Sequence, residues 1–194
     1  MKNILALLLI VAIAAYAGDI KPIPVGETVP MFKLKNYDGK EYSSDTLMSN
    51  RKFTVIMFIA TECPVSNAYN KRMVKIHETY NKKGIGFIGI NSNIEENVQR
   101  IAEHAKKNGF PFVVLKDDSN KIADLYGALV TPELYVINNK GKLLYEGRID
   151  DNRNADKVQS KDLEITLDAL LAGKEPPRTV ARAFGCTIKR ISKD

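Results

Sequence analysis

The feature that most constrains this chain is an apolar run, residues 53–59, that leads into Ala60-Thr61-Glu62-Cys63-Pro64. A short run with no polar alternation suits a strand buried on both faces, the place of a central strand in an α/β sheet. Beyond Pro64 the period changes. Val65, Tyr69, Met73, Ile76 and Tyr80 recur at spacings of four, four, three and four, which is a helical stripe over residues 64–81. Pro64 fits the first helical turn, because its missing N–H has no partner to lose there. Cys63 therefore stands where a buried strand hands over to a helix N-terminus. Unpaired N–H groups and the positive end of the helix dipole favour a thiolate at that point. The other reading of Cys63 is an inert thiol packed as a small hydrophobe.

Around this junction the chain alternates. Residues 31–35 and 40–42 flank Asp38-Gly39 and read as a hairpin, followed by a short polar connection at 43–50. Strands are expected at 53–59, 85–90 and 112–115, with a helix after each. Gly84 stops the first helix. Asn93 with Glu96 three residues on resembles a capping box for the second, whose face carries Ile94, Val98, Ile101 and Ala105. Asp117-Asp118-Ser119 caps a brief third helix closed by Gly127. Strands at 134–137 and 142–149 are joined by the turn Asn138-Asn139-Lys140-Gly141. A last helix points Leu163, Leu167, Leu170 and Leu171 inward and ends at Gly173 and Pro176-Pro177. This order predicts an α/β fold with a mixed central sheet flanked by helices.

The N-terminus reads as an export signal. Lys2 supplies the charge, residues 4–15 are apolar, and Ala15-Tyr16-Ala17 is a small-x-small cleavage site. The apolar stretch is short for a membrane span, so no stable membrane insertion is expected once the signal is cleaved. The expected organisation is a signal peptide at 1–17, one domain at 18–177, and a tail at 178–194 carrying Cys186. Export to a periplasmic or extracellular compartment would permit disulfides. The net charge of +6 is spread over short pairs such as Lys71-Arg72 and Lys106-Lys107, with acids between, so nucleic acid is not an expected partner. Two histidines and two distant cysteines give no zinc-type spacing, and no glycine-rich phosphate loop is present. No metal and no cofactor is expected.

Cys63-Pro64 at the first strand–helix junction and Thr131-Pro132 before the late hairpin resemble the thioredoxin superfamily. The segments Ala60-Thr61-Glu62-Cys63-Pro64-Val65-Ser66-Asn67, Tyr126-Gly127-Ala128, Gly147-Arg148-Ile149-Asp150-Asp151 and Gly185-Cys186-Thr187-Ile188 are similar to exported redoxin or peroxiredoxin-like proteins. The resemblance implies a thioredoxin-like fold with an extra N-terminal β-hairpin. It also implies a thiol oxidoreductase, acting as a peroxidase or in thiol-disulfide exchange, with Cys63 as the attacking thiolate. Ala60 stands where a thioredoxin carries the first cysteine of its Cys-x-x-Cys pair. Thr61 stands one place later than the threonine of the peroxiredoxin pattern.

Further roles follow from the resemblance and from the chemistry of the side chains themselves. Cys186 is the candidate resolving thiol for Cys63, and otherwise a free thiol on the tail. Thr61 would supply a hydroxyl near the sulfur, and Glu62 would relay a proton or simply face solvent at a helix start. Thr131 and Pro132 would form a cis-proline loop that binds substrate. Arg148 would either lend positive charge to the thiolate or pair with Asp150 or Asp151. The implied partners are a thiol reductant, an oxidised client protein and peroxide. The alternative is a non-catalytic thioredoxin-fold module that binds a client protein or a metal.

Overall fold

The computed structural model describes residues 23–192, so the signal sequence expected at 1–17 lies outside the described residues. Strands β1 (Lys33–Asn36) and β2 (Glu41–Ser43) form the expected hairpin, turned by Gly39 at φ +80°. Helix α1 (Ser44–Met48) leads to β3 (Phe53–Phe58). Helices α2 (Pro64–Ala68) and α3 (Asn70–Tyr80) precede β4 (Ile85–Asn91), and α4 (Val98–Asn108) precedes β5 (Val113–Lys116). Then come α5 (Lys121–Tyr126), β6 (Val130–Thr131), β7 (Glu133–Asn138) and β8 (Leu143–Gly147). Helix α6 (Asp162–Leu171), β9 (Val180–Ala181) and β10 (Cys186–Thr187) complete the chain.

Eight strands form one sheet in the order β2-β1-β5-β4-β3-β7-β8-β9, and β10 pairs with β6 in a separate ribbon. Strands β3, β4 and β5 run parallel, whereas β7 lies antiparallel to β3 and β1 antiparallel to β5. The sheet is therefore mixed, with the N-terminal hairpin at one edge. Strand β3 explains its own sequence. Val55 and Met57 enter a core cluster with Met73 and Ile76 of α3, Ile101 of α4 and Leu163 and Leu167 of α6. Ile56 and Phe58 enter a second cluster with Met48 of α1 and Ile122 and Tyr126 of α5. Each fully buried side chain of this size contributes about 1.5–3 kcal/mol, so the continuous run anchors both layers at once.

Three local expectations are corrected, and the capping of α5 by Asp117 is met. The stripe over 64–81 is two helices, because the Tyr69 amide closes a tight turn on the Ser66 carbonyl at 3.0 Å before the α3 pattern begins with Met73 N–H to Tyr69 O at 2.9 Å. The apolar stripe runs through this joint, so periodicity does not reveal it. Asn93 and Glu96 do not cap α4. Its N-cap is Asn97, whose Oδ1 accepts the Arg100 amide at 3.0 Å, and both Ile94 and Val98 face solvent. Asp117 bonds the Ile122 and Ala123 amides, each at 3.0 Å, across the left-handed Asn120 that begins α5. Finally, Arg148 pairs with the buried Asp162 of α6 at 2.7 Å, not with Asp150 or Asp151. Asp150 is taken by Arg72 and by the Tyr69 hydroxyl at 2.9 Å.

Candidate active site

The site is assembled where the C-terminal end of β3 meets the start of α2. The Ile59 amide is the last to follow the sheet, donating to Ile90 O at 2.9 Å. The chain then leaves for α2, and Cys63 becomes its N-cap with extended backbone at φ −79°, ψ 115°. Its sulfur accepts the Ser66 amide at 3.2 Å, as an N-cap oxygen would. Pro64 occupies the first turn, as its fixed φ favours. The Ser66 hydroxyl, fully buried, accepts the Ala60 amide at 3.3 Å and closes the loop onto the helix.

The second half of the site comes from far along the chain. The Thr131-Pro132 bond is cis, and the Thr131 carbonyl accepts the Cys63 thiol at 3.3 Å. Strand β10 pairs antiparallel with β6, placing Cys186 opposite Thr131, and Ile188 N–H reaches Leu129 O at 3.0 Å. Gly185 permits this approach: a Cβ there would lie 1.9 Å from the Thr131 carbonyl oxygen. The two thiols consequently interact. Burial pushes the Cys63 thiol up, but hydrogen bonds from Cys186 and from the Ser66 amide outweigh it and the net shift is downward. Cys186 moves the other way, raised by burial and by its bond to Cys63. Both sulfurs are free thiols here, and Cys63 is only 4% exposed.

Thr61 and Glu62 sit beside the sulfur in sequence but turn to other partners. Their amides donate to the buried carboxylate of Glu96, Thr61 at 2.6 Å to Oε2 and Glu62 at 3.1 Å to Oε1. The Thr61 carbonyl accepts Asn67 Nδ2 at 2.8 Å. The Glu62 side chain is exposed and forms an ion pair with Arg100 of α4. Such an exposed pair contributes at most about 1 kcal/mol. Thus Cys63, Cys186, Thr131 and cis-Pro132 come together, while Thr61 and Glu62 form the loop that leads into them.

Sequence reasoning did not connect this loop with the polar residues that support it, Glu96 just before α4 and Arg100 and His104 on the helix. Glu96, Arg100 and His104 lie at four-residue intervals and contact the active segment in turn: the amides of 61 and 62, the carboxylate of Glu62, and Asn67 Oδ1 at 2.8 Å. The four-residue spacing was the available signal. It is a row of polar residues that starts before the N-cap of α4 and continues onto the helix, which a search for buried apolar stripes passes over. Chemically, the assembly sets a thiol whose pKa is lowered beside the strand that carries a second thiol, and the thiolate is the reactive form of cysteine. Among the described residues no group of three or more His, Cys, Asp or Glu side chains could hold a metal ion.

Comparison with known proteins follows the same lines. A crystal structure of an uncharacterized conserved protein from Geobacillus kaustophilus superposes with a TM-score of 0.82 at 31% identity, over 88% of this chain and 94% of that one. The chloroplastic peroxiredoxin Q of Populus jackii is 28% identical over 142 residues, which are 69% of this chain and 65% of that protein, a little under two thirds of its length. The thiol-disulfide oxidoreductase ResA of Geobacillus thermodenitrificans is 23% identical over 148 residues, 74% of this chain and 83% of that one. Residues 25–146 match the AhpC/TSA family, and this chain, with its thioredoxin-like fold and its single cysteine at the β3–α2 junction, belongs to that family.

Proposed function

We propose that this protein is an exported thiol oxidoreductase of redoxin type, in which Cys63 attacks a hydroperoxide and Cys186 resolves the product. The observation that carries the reading is the Cys63 sulfur at the N-cap of α2, bonded by the Ser66 amide and bonded to the carbonyl of Thr131, the residue that Cys186 opposes in strand register. The Cys63 thiolate attacks the terminal oxygen of the peroxide and displaces the other as alkoxide or hydroxide. The O–O bond breaks, an S–O bond forms, and the departing alkoxide takes a proton to leave as an alcohol or as water. Cys186 then attacks the sulfenic acid, the S–O bond breaks, water leaves, and a Cys63–Cys186 disulfide remains. A thiol reductant closes the cycle by two-electron exchange.

A small oxidant is favoured over a protein because the sulfur is almost wholly buried and β10 already occupies the backbone edge of β6. Disulfide exchange with a client protein is the second reading, favoured by the likeness to ResA. In that case the mixed disulfide forms at Cys63 and is resolved by the same Cys186. A module that binds a client or a metal without turnover would leave the lowered Cys63 pKa unused. Export rests on the leader at 1–17, and the expected division places the domain at 18–177 and Cys186 on the segment 178–194. No helix among the described residues is long and apolar enough to cross a membrane.

The test is direct. Reduced protein is mixed with hydrogen peroxide, or with an oxidised model protein, and both sulfurs are followed by mass spectrometry. An intramolecular disulfide forming in the wild type, and a trapped sulfenic acid at Cys63 in Cys186→Ser, are expected with peroxide. Reaction only with the protein disulfide would select the second reading. No reaction with either would remove the enzyme reading.

A further inference from the structure

Residues 91–96, between β4 and α4, carry a cluster of buried polar groups that the proposed thiol chemistry does not itself use. At its centre is Glu96, 2% exposed, with each carboxylate oxygen engaged twice. Oε2 accepts the Thr61 amide and Asn91 Nδ2, both at 2.6 Å. Oε1 accepts the Glu62 amide at 3.1 Å and Asn93 Nδ2 at 3.0 Å. Burial pushes the Glu96 carboxyl up, but these donors hold it below its ordinary range, so it is an anion at neutral pH. Lys116, also buried, donates to Asn93 O at 2.6 Å and to Asn91 Oδ1 at 3.4 Å.

The same cluster reaches the other cysteine-bearing segment. Asn93 Oδ1 accepts the Lys189 amide at 2.7 Å, and the Ile94 amide donates to Lys189 O at 3.2 Å. Asn120 bonds Lys189 O at 3.1 Å and accepts the Ile191 amide at 2.9 Å. One buried network therefore grips the backbone immediately before Cys63 and three residues after Cys186, without touching either sulfur. A buried anion is an expensive way to close a loop, since an apolar residue of similar volume is often as stable. Its two outward contacts, through Glu96 and through Asn93, land on the two thiol-bearing segments.

We propose that Glu96 is a positioning residue that, through the amides of Thr61 and Glu62 on one side and through Asn93 and Lys189 on the other, sets the approach of Cys63 to Cys186. The proposal rests on these two thiols forming a redox pair. Glu96→Gln keeps the volume but turns one acceptor oxygen into a donor that faces N–H groups. Asn93→Ala cuts the link to Lys189 and leaves Glu96 its contacts with Thr61 and Glu62.

The experiment uses the full chain and two readouts. The first is hydrogen exchange at the Thr61, Glu62 and Lys189 amides. The second is the equilibrium between the dithiol and the Cys63–Cys186 disulfide against dithiothreitol, whose oxidised ring takes the two electrons and two protons that the thiols lose. In Glu96→Gln, exchange at Thr61 and Glu62 should rise at least tenfold and the constant for disulfide closure should fall at least tenfold. Asn93→Ala should raise exchange at Lys189 and lower the same constant. It supplies the answer if Glu96→Gln does not fold. Glu103→Gln, on the exposed side of α4, should change neither. Loosened amides with a closure constant within twofold of wild type would reduce Glu96 to a structural role and overturn the proposal. So would a wild type that closes no disulfide. A wild type that closes its disulfide normally, responds to Glu96→Gln, and yet reacts with neither peroxide nor client would sink the proposed function while upholding the positioning role.

Discussion

Cys186 lies opposite Thr131 in strand register, and the carbonyl of that same Thr131 accepts the thiol of Cys63 at 3.3 Å. One residue of a two-residue strand thus connects two sulfurs that are far apart in sequence. The closeness depends on Gly185, since a Cβ at that position would sit 1.9 Å from the Thr131 oxygen and 2.7 Å from its carbon. Gly185→Ala must push β10 away from β6. The expected outcome is at least a tenfold loss in the rate of Cys63–Cys186 disulfide formation after oxidation, with the far-UV spectrum unchanged. Quenched-flow alkylation with mass spectrometry measures it.

The thiols should also titrate apart. Cys63 is lowered from its model-compound value of 9.0 and Cys186 is raised from it, and the hydrogen bond from Cys186 is the largest of the influences that lower Cys63. The rate of Cys63 alkylation against pH should therefore show a midpoint below 9.0 in the wild type. Cys186→Ala should move that midpoint upward, because burial then acts on Cys63 with less opposition. A midpoint that stays put in the variant would assign the activation to the helix terminus and the Ser66 amide alone.

Much of this architecture could be read from the residues before any coordinates. The run at 53–59 announces a strand buried on both faces, and Cys63-Pro64 announces the turn into a helix, because both signals are local. Cis Thr131-Pro132 and the neighbouring Cys186 came through resemblance rather than pattern. The register that places Cys186 beside Thr131 depends on a two-residue strand, too short for any periodicity to mark. Glu96 was misread for a related reason. Three residues after Asn93 it mimics a local cap, yet the backbone amides its carboxylate accepts are 34 and 35 positions away. Short polar side chains choose between local and distant backbone donors, and only the fold decides which are within reach.

Beside the site, the joint between α2 and α3 is fastened by Tyr69, Arg72 and Asp150. The Tyr69 hydroxyl donates to Asp150 at 2.9 Å, and Arg72 pairs with the same carboxylate and lies over the Tyr69 ring. Tyr69→Phe should cost about 1 kcal/mol, the usual net worth of one hydrogen bond. Asp150→Ala should cost more, about 3 kcal/mol, because it leaves the largely buried Arg72 without its counter-charge. Urea unfolding of the two variants tests the order as well as the sizes.

Acid sensitivity is expected to begin near neutrality. His77 is lowered from 6.5 first by burial and then by Arg51; His104 is lowered by burial, with Lys107 adding to it and Glu96 opposing. An unfolded imidazole binds its proton near pH 6.5, whereas these folded ones wait until lower pH. Between those values the unfolded chain holds more protons, so stability is full above about pH 6.5 and declines as pH falls through the folded pKa values. The urea midpoint should drop from pH 7 toward pH 5. Replacing both residues, His77→Leu with His104→Gln, should flatten that drop. The depressed carboxylate of Glu96 acts only further down, below its ordinary 4.5.

Strand β10 is the last strand of the described chain, and it completes a site whose proposed nucleophile stands between the third strand and α2. During synthesis the sheet from β1 to β8 can assemble while the second thiol is still to come. Until β10 docks, the edge of β6 stays open and Cys63 has no internal partner. The proposed two-thiol chemistry therefore depends on the docking of β10, whereas the sheet order from β2 to β8 does not.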